Sequence, residues 1–336
     1  METADKIVQP VLVTGATGFI GGRVIHKLLQ EGISVKVLVL PDEAVPSEWA
    51  GKVEVVRGNI SDPHSVKEAA AGAETIIHLV AIVTDWGDEK KYWKVTVEGS
   101  RLIFEQAVKN RARVVLASSI AVYGDHIHSQ SCPEDTPYGN PLGPYSRTKQ
   151  AQERLAWDYY KEKNMKLSVV RPANVYGPGS GPWLHDVVDV LRSGSPGLIS
   201  GGEMNAGLAY VDNVADVLIL AGSTGKAIGR VYNACDGLDV TWKEYFTDLA
   251  DMIGVGKPKS LPAPLAVIGA YLMEGVYKLF SIQKRPLITR EALNLVGSDN
   301  RIPNDRIKNE LGYTPQVSYA EGLQRIREYI DQKLKK

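Results

Sequence analysis

Apolar residues in the first half of the chain fall into short, nearly continuous runs separated by stretches of helical periodicity. The runs are rich in Val and Ile, which predicts strands of a parallel sheet buried on both faces. The predicted strands are Val11–Thr14, Val35–Leu40, Val53–Arg57, Thr75–Leu79, Val114–Ser118 and Leu167–Arg171. The predicted helices between them are Gly22–Gln30, Pro63–Ala70, Tyr92–Lys109 and Ser146–Glu162. This alternation predicts an α/β fold with a doubly wound parallel sheet.

Composition and charge exclude several classes of protein. The 336 residues carry 39 Lys and Arg against 39 Asp and Glu, so no nucleic acid is expected as a partner. Cys132 and Cys235 are far apart in sequence and predict neither a disulfide framework nor a metal site, which is typical of the cytoplasm. The longest apolar stretch, 261–280, is interrupted by Glu274 and Lys278, so we expect no transmembrane segment.

Three glycines lie between the first predicted strand and the first predicted helix. They are Gly15, Gly18 and Gly21, in the stretch Val13-Thr14-Gly15-Ala16-Thr17-Gly18-Phe19-Ile20-Gly21. Gly15 would permit a tight turn, Gly18 would let the backbone approach a pyrophosphate, and Gly21 would let the helix pack closely on the strand. The helix N-terminus would offer N–H groups to the phosphates. The motif therefore predicts a dinucleotide site.

A tyrosine and a lysine four residues apart predict acid–base chemistry. Tyr145 and Lys149 would share one face of a helix. An ammonium beside a phenol would lower the phenol pKa towards neutrality and make Tyr145 a general acid or base. Ser118 and Ser119 follow an apolar strand, where a hydroxyl could bind a substrate oxygen. The alternative for Tyr145 and Lys149 is a pair of exposed helical residues without a catalytic role. The alternative for a serine here is a turn hydroxyl at the end of a strand.

Several motifs occur in the order seen in extended short-chain dehydrogenases/reductases, and the chain resembles this family over nearly its whole length. The motifs are Thr14–Gly21, His78-Leu79-Val80-Ala81, Ser118–Gly124, Tyr145–Lys149, Arg171–Gly179 and Leu311-Gly312-Tyr313-Thr314-Pro315. The resemblance implies a Rossmann domain that binds a nicotinamide dinucleotide and a smaller, interleaved C-terminal substrate domain. We accordingly expect residues 1–175 to form the NAD(P)-binding domain, with a return segment near 203–235, and residues 176–336 to form mainly the substrate domain.

The resemblance also implies the site residues. The catalytic hydroxyl falls on Ser119, the general acid/base on Tyr145 and its ribose-binding partner on Lys149. The residues expected to bind the cofactor are Gly15, Thr17, Gly18, Phe19, Ile20, Leu40, Asn59, Ile60, Val80, Ala81, Tyr145, Lys149, Pro172, Asn174 and Val175. The residues expected to contact the substrate are Val83, Ser119, Tyr145, Asn174, Trp183 and Leu208. Trp183 could equally pack only a loop, and Thr96 stands where such families often carry Asn.

The end of the second strand normally distinguishes NAD from NADP. An acid there binds the ribose 2′-OH, whereas an Arg pairs with the 2′-phosphate of NADP. Val39 and Leu40 occupy these positions and do neither, Asp42 lies a little beyond, and Arg23 and Lys36 are the nearest cations. Because no acid would repel the 2′-phosphate, we expect NADP to be favoured over NAD.

Two substrate classes compete. Nucleotide-sugar enzymes of this type usually carry an Arg for the diphosphate just before a Tyr-Val-Asp segment. The corresponding stretch from Gly201 to Asp212 contains no Arg, and its Glu203 would repel a diphosphate. The C-terminal part, with an apolar helix predicted over Leu265–Phe280, resembles that of the 3β-hydroxysteroid dehydrogenase branch of the family. Such a helix would suit an apolar substrate or a lipid surface, and burial in the core or in a dimer contact is the alternative.

The sequence thus predicts an NAD(P)-dependent oxidoreductase that interconverts a secondary alcohol and a ketone. The substrate would be largely apolar, of the 3β-hydroxysteroid or long-chain β-hydroxy acid type. A nucleotide-sugar epimerase or dehydratase with tightly bound NAD is the second hypothesis, and a non-catalytic dinucleotide sensor is the third. The family resemblance also implies a homodimer formed by the helices that start near Tyr92 and Ser146.

Overall fold

The fold is built on seven parallel strands. A computed structural model describes residues 6–334. Its strands are β1 (Val11–Thr14), β2 (Val35–Val39), β3 (Val53–Arg57), β4 (Thr75–His78), β5 (Arg113–Ala117), β6 (Lys166–Pro172), β7 (Asn174–Tyr176), β8 (Pro196–Ile199), β9 (Leu208–Tyr210), β10 (Arg230–Ala234) and β11 (Lys259–Leu261). Its helices are α1 (Phe19–Gln30), α2 (Pro63–Ala70), α3 (Glu89–Tyr92), α4 (Gly99–Asn110), α5 (His126–Ser129), α6 (Pro144–Lys163), α7 (Asp186–Ser193), α8 (Val211–Ser223), α9 (Trp242–Ile253), α10 (Ala263–Leu279), α11 (Arg290–Val296), α12 (Asp305–Leu311) and α13 (Tyr319–Lys333). Turns of 3-10 helix occupy Ser47–Trp49, Ile120–Tyr123, Ser200–Gly202 and Gly225–Ala227, and π-helical segments occupy Trp93–Glu98 and Gly181–His185.

The main sheet has the strand order β10-β6-β5-β4-β1-β2-β3, and every neighbouring pair is parallel. The predicted doubly wound α/β sheet is therefore confirmed. From β1 the strands continue to β2 and β3 on one side and to β4, β5 and β6 on the other. The crevice at the carboxyl ends of the strands, at such a switch in strand order, is where ligands bind in open α/β sheets. The edge strand β10 comes from the second half of the chain, which crosses back to pair with β6. The division into two domains at residue 175 stays a prediction, and the outermost residues 1–5 and 335–336 lie outside the described residues.

Each face of the sheet is covered by helices. Val11 and Val13 of β1 belong to a core shared with α1 and α8, whereas Leu12 between them belongs to a core shared with α2, α4 and α6. This alternation follows from the two-residue period of a strand. The two layers hold the carboxyl ends of β1, β4 and β5 at one edge of the sheet.

The helices differ from the sequence prediction mainly at their starts, and α6 begins at Pro144 rather than Ser146. Helix α1 begins at Phe19 rather than Gly22, because Gly18 is its extended N-cap residue and the glycines that follow lie inside the helix. The predicted helix Tyr92–Lys109 contains the π-helical segment Trp93–Glu98, a widened turn that periodicity alone does not reveal.

Helix α10 corresponds to the apolar helix predicted near the C-terminus. Its inner face consists of Ala266, Ala270 and Glu274, whereas Leu272 and Leu279 on its outer face are 64% and 77% exposed. The alternative that this helix is buried in the domain core is therefore wrong. Within residues 6–334, no helix combines the length and apolar character that a membrane crossing requires.

Candidate active site

The glycine-rich turn has the geometry of a phosphate cradle. Gly15 has a φ of +70°, and a Cβ on Gly21 would lie 2.1 Å from the Gly15 carbonyl oxygen, so α1 could not pack this closely with any larger residue. A Cβ on Gly15 would lie 3.3 Å from the backbone nitrogen of Val80, which places the loop after β4 across the turn. Helix α1 has neither a capping side chain nor an acid in its first turn, so its N-terminal N–H groups point towards the turn without a protein anion.

An acid that sequence reasoning missed lies beside the end of β2. The Glu43 carboxylate accepts hydrogen bonds from the Thr17 hydroxyl, at 2.6 Å, and from the Leu40 backbone nitrogen, at 3.2 Å. The Arg57 guanidinium donates to the Pro41 and Glu43 carbonyl oxygens and fixes this loop. A carboxylate joined to both the glycine-rich turn and the end of β2 has the chemistry that binds a ribose 2′-OH. The premise that no acid is well placed is therefore wrong.

The two cations considered for a 2′-phosphate are already paired. Arg23 donates to both carboxylate oxygens of Asp212, and Lys36 bonds Glu54 at 2.9 Å and the Ala71 carbonyl oxygen at 3.1 Å. The expectation that NADP is favoured rests on a missing acid, and neither of these cations adds support for it.

Other candidates for the adenine end have structural roles of their own. The Asn59 side-chain oxygen accepts a hydrogen bond from the Ser61 backbone nitrogen at 2.9 Å, which is the turn role. Ile60 is buried and packs against Gly99, where a Cβ would lie 2.9 Å from the Ile60 side chain. Only the backbone of Ile60 is left for contact with an adenine.

Ser119 and Tyr145 meet at the carboxyl edge of the sheet. Ser119 starts the helical turn after β5, where its hydroxyl accepts from the Ala121 nitrogen at 3.1 Å and is hydrogen-bonded to the Tyr145 phenol. The neighbouring Ser118 hydroxyl instead donates to the buried Glu153 carboxylate. The structure thus distinguishes the serine that faces Tyr145 from the one that holds the scaffold.

Lys149 is buried one turn along α6 from Tyr145. Its ammonium donates to the Ala117 carbonyl oxygen at 2.7 Å and to the Gln152 side-chain oxygen. Burial lowers the pKa of Lys149 to about 7, although the Glu153 carboxylate opposes this shift. An ammonium has three N–H donors, so these two acceptors leave one donor for another group.

Burial, rather than Lys149, dominates the pKa of Tyr145 in this arrangement. Burial raises the pKa of Tyr145 to about 12, the hydrogen bond with Ser119 opposes the increase, and the Glu291 carboxylate adds to it. Lys149 is directed to Ala117 and Gln152 instead. The phenol therefore keeps its proton at neutral pH.

A fully buried hydrogen-bond network extends from Gln152 to β1. The Gln152 amide and the His78 Nε2 both bond the Ser100 hydroxyl, at 2.7 and 2.8 Å, and that hydroxyl donates to the Thr96 carbonyl oxygen. His78 must then donate from Nε2, so its Nδ1 accepts from the Thr14 hydroxyl at 2.7 Å. Burial, followed by the charge of Lys149, lowers the pKa of His78 to about 3, which keeps the imidazole neutral. The network is structural and fixes the partner of Lys149.

A second buried network anchors α6 to the sheet. Arg171 at the end of β6 donates to both carboxylate oxygens of Glu153, at 3.2 and 2.6 Å, and to the Tyr123 hydroxyl at 2.9 Å. Tyr138 also donates to Glu153, at 3.0 Å. Burial opposes ionisation of that carboxyl, but Arg171 and the hydrogen bonds from Ser118 and Tyr138 together hold its pKa below the usual value. These contacts fix the position of α6, and hence of Tyr145 and Lys149, against β5 and β6.

The predicted substrate residues do not all reach one cleft. Val83, in the loop after β4, is 65% exposed. Asn174 is buried and its amide donates to the Ala206 carbonyl oxygen at 2.7 Å. Leu208 lies in β9 with 1% exposure, so the prediction that it lines the pocket is wrong: its strand is packed within the main core. Trp183 stacks on Trp242 at 4.8 Å between ring centroids, which is the loop-packing alternative.

Glu291 of α11 is a further residue near Tyr145 that sequence reasoning missed. Its carboxylate accepts from the Ser146 backbone nitrogen at 2.7 Å, at the N-terminus of α6, while its other oxygen is buried without a hydrogen-bond partner. Burial raises the pKa of Glu291 to about 8. A Cβ on Gly143 would lie 2.0 Å from that free oxygen, so the fit depends on this glycine. Among residues 6–334 no His, Cys, Asp or Glu cluster could hold a metal ion.

Comparisons with known proteins show the family of the chain and several similar proteins. The family model for the NAD dependent epimerase/dehydratase family matches residues 11–235. A 4-hydroxy-2-methyl-3-oxo-4-farnesyl-3,4-dihydroquinoline-1-oxide ketoreductase from Stigmatella aurantiaca is 27% identical over 94% of this chain and 95% of its own length. A 3beta-hydroxysteroid-dehydrogenase/decarboxylase from Arabidopsis thaliana is 26% identical over 94% of this chain and 78% of its own length. The structure of MoeE5 in complex with UDP-glucose and NAD has a TM-score of 0.74 and 25% identity, covering 97% of this chain and all of that one.

Proposed function

Because the chain belongs to the NAD-dependent epimerase/dehydratase family, we propose that it is an NAD-dependent oxidoreductase that interconverts a secondary alcohol and a ketone on a largely apolar substrate. The observation that carries this proposal is the contact between Ser119 and a Tyr145 phenol whose pKa is raised to about 12. A phenol that keeps its proton at neutral pH supports ketone reduction, in which the tyrosine acts as the acid.

The described residues fit a nicotinamide dinucleotide. The turn at Gly15 and Gly18 and the N-terminus of α1 would hold the pyrophosphate, Glu43 would bind the adenosine ribose, and Lys149 would bind the nicotinamide ribose. When bound, the dinucleotide supplies the hydride that is transferred to the substrate carbon. The Glu43 carboxylate favours NAD over NADP because it would repel a 2′-phosphate.

The residues of this chain perform the proton chemistry. Ser119 would donate a hydrogen bond to the substrate carbonyl oxygen, and Tyr145 would give that oxygen its proton as the carbinol forms. The phenolate left on Tyr145 would be stabilised by the positive charge of Lys149. Ala117 and Gln152 hold that charge in place, so it needs no rearrangement during the reaction.

The apolar substrate class rests on two observations. In the stretch 201–212 there is no Arg for a diphosphate, and its Glu203 pairs with Lys243 at 2.7 Å. The two relatives described above are named for a farnesyl-substituted quinoline oxide and for 3β-hydroxysteroids, both of which are apolar molecules. The similarity to MoeE5, whose structure contains UDP-glucose, is the reason to test nucleotide sugars as the alternative substrates.

The test is turnover of the purified protein with NADH or NADPH and a panel of ketones. The panel contains 3-ketosteroids, long-chain β-keto acids or esters, and UDP- and dTDP-sugars. We expect loss of NADH absorbance with an apolar ketone and formation of the alcohol. Conversion of a sugar nucleotide without net change in the dinucleotide would overturn the proposal in favour of an epimerase or dehydratase.

Tyr145→Phe tests the assigned acid directly. This variant removes the proton donor and nothing else, so we expect turnover to fall by about a thousandfold or more while dinucleotide binding, measured by fluorescence titration, changes little. Tyr160→Phe, on the same helix but near its other end and away from Ser119, is the matched control. Retained turnover in Tyr145→Phe would contradict the assignment.

A further inference from the structure

Helix α10 exposes its large apolar residues to solvent and turns small residues towards the protein. Of the fourteen exposed large hydrophobic residues among residues 6–334, ten lie between Leu265 and Leu287. They are Leu265, Val267, Ile268, Tyr271, Leu272, Val276, Leu279, Phe280, Ile282 and Leu287, which together we call the α10 face. The small residues Ala266 and Ala270 point inward instead. A contiguous apolar surface of this kind marks an interaction site, because a helix at a protein–water boundary normally exposes polar residues.

The exposed charged residues of the segment 257–290 are all basic. Lys257 and Lys259 precede the helix, Lys278 and Lys284 lie at its end and beyond, and all four are exposed. The one carboxylate in the segment 257–290 is Glu274, which is buried, accepts from Arg290 at 2.9 Å and lies 3.7 Å from the Lys278 ammonium. An exposed apolar face with lysines at both ends matches the boundary of an anionic bilayer, where apolar side chains enter the acyl region and ammonium groups meet phosphates.

The α10 face is continuous with the loop that borders the candidate active site. The Trp86 indole nitrogen donates to the Ile282 carbonyl oxygen at 3.0 Å, and the Trp86 ring packs edge-on against Tyr277. Arg285 is joined to Asp85 by a two-pronged ion pair, with one N–O distance of 2.7 Å. Exposed Val83 belongs to the same loop. A surface that binds the α10 face would therefore also lie next to this loop, at the border of the candidate active site.

We propose that the α10 face seats the protein on an anionic membrane surface. A second copy of the chain fits the face less well, because a two-fold contact would bring lysines against lysines with no free carboxylate from the segment to pair with them. A lipid bilayer supplies both the apolar interior and the phosphate groups. The inference does not depend on the proposed reaction, since binding can be measured without substrate.

The test is flotation of the intact protein with vesicles of phosphatidylcholine, with and without phosphatidylglycerol. We expect binding that increases with phosphatidylglycerol and weakens in salt. The double variant Leu272→Ser with Leu279→Ser should lower the partition coefficient about tenfold or more, because both side chains are exposed and would otherwise enter the bilayer. Lys257→Glu with Lys284→Glu should lower it by about fivefold or more for each charge reversed.

Matched controls keep the outcomes distinct. Val8→Ser changes an exposed apolar residue, and Lys161→Glu an exposed lysine, away from the α10 face, so both should bind vesicles as the unaltered protein does. Light scattering of the Leu272→Ser/Leu279→Ser variant should show an unchanged particle size. Absence of vesicle binding, or a smaller particle for this variant, would overturn the proposal, the second result in favour of a contact between copies. Ketone reduction with a water-soluble substrate should be unaffected.

Discussion

At the scale of single residues, Glu43 lies in the loop after β2, but its carboxylate reaches back to the end of that strand. The family pattern expects an acid at the strand end itself, where Leu40 stands. The chain then turns, Arg57 fixes the turn, and the Glu43 carboxylate returns to the Leu40 nitrogen and the Thr17 hydroxyl. The Glu43 carboxylate therefore lies at the end of β2, although no acid occupies that position in the sequence motif.

Glu43→Gln should shift the cofactor preference towards NADPH. The amide keeps one acceptor oxygen but removes the negative charge, and like charges in contact cost several kcal/mol. We expect the ratio of kcat/KM for NADPH to that for NADH to rise about tenfold or more. Glu48→Gln, an exposed acid a few residues further on, is the control and should leave the ratio unchanged. An unchanged ratio in Glu43→Gln would show that this carboxylate does not face the ribose.

Gln152 is a positioning residue for Lys149, and its effect should appear in the pH profile. Lys149, with a pKa lowered to about 7, stabilises the Tyr145 phenolate only while it is protonated. Ketone reduction should therefore slow as the pH rises above about 7. Gln152→Glu places a carboxylate at the Lys149 ammonium and raises its pKa, so the decline should move to higher pH by about one unit.

The control for this prediction is Gln324→Glu, a change of the same kind on the exposed surface of α13. Its pH profile should coincide with that of the unaltered protein. A merely structural role for Gln152 would lower the rate in its variant without moving the profile, and that result would refute a positioning role.

At the scale of elements, the N-terminus of α6 is in contact with a buried acid of α11, Glu291. Glu291 caps the Ser146 nitrogen, and burial raises the pKa of Glu291 from an ordinary 4.5 to about 8. A carboxyl group with a raised pKa holds its proton more tightly in the folded state. The stabilisation is therefore complete below about pH 4.5 and is lost as the pH rises through about 8.

Glu291→Gln should remove this pH dependence. The amide keeps the acceptor for the Ser146 nitrogen and carries no charge at any pH. Urea unfolding at a series of pH values should show the unaltered protein losing stability relative to the variant between about pH 5 and 8. Glu68→Gln on the exposed surface of α2 should show no such difference. Parallel curves for Glu291→Gln and the unaltered protein would contradict the raised pKa.

The sequence predicted local elements well and long-range contacts poorly. β1, β3 and α2 have their predicted bounds, because apolar runs and an Asp62 N-cap followed by Pro63 are local signals. The pairing of Ser119 with Tyr145 came from the family resemblance rather than from local signals. Glu43 and Glu291 were missed because each reaches its partner through a loop or from a distant helix, and periodicity carries no information on such contacts.

At the scale of the whole molecule, the C-terminal third contacts the main sheet and its helices at separate points. Tyr313 donates to the Asn213 carbonyl oxygen at 3.0 Å, and the Asn213 side chain accepts from the Val317 nitrogen at 2.9 Å. Glu291 and Arg285 make the contacts with α6 and with the loop after β4 described above. The site is therefore formed by segments remote in sequence, which explains why the substrate residues Leu208 and Trp183 could not be placed from motifs.

The assembly that the family resemblance implies, a homodimer through α4 and α6, also has a physical basis in this chain. Leu102 of α4 and Leu155, Trp157 and Tyr160 of α6 are only partly buried, so these helices present apolar side chains outward. Packing against a second copy would cover them, and such contacts are commonly two-fold. Light scattering should therefore give the mass of a dimer, and Leu155→Glu should give a monomer because it places charge in the contact.

Leu155→Ala separates loss of the contact from loss of the fold. It removes apolar area without adding charge, so we expect a weakened dimer that re-forms at higher protein concentration. Far-ultraviolet circular dichroism of both variants should match that of the unaltered protein. A monomeric unaltered protein, or a dimer that survives Leu155→Glu, would place the contact elsewhere. The α10 face, which lies on other helices, should remain available to a membrane in either case.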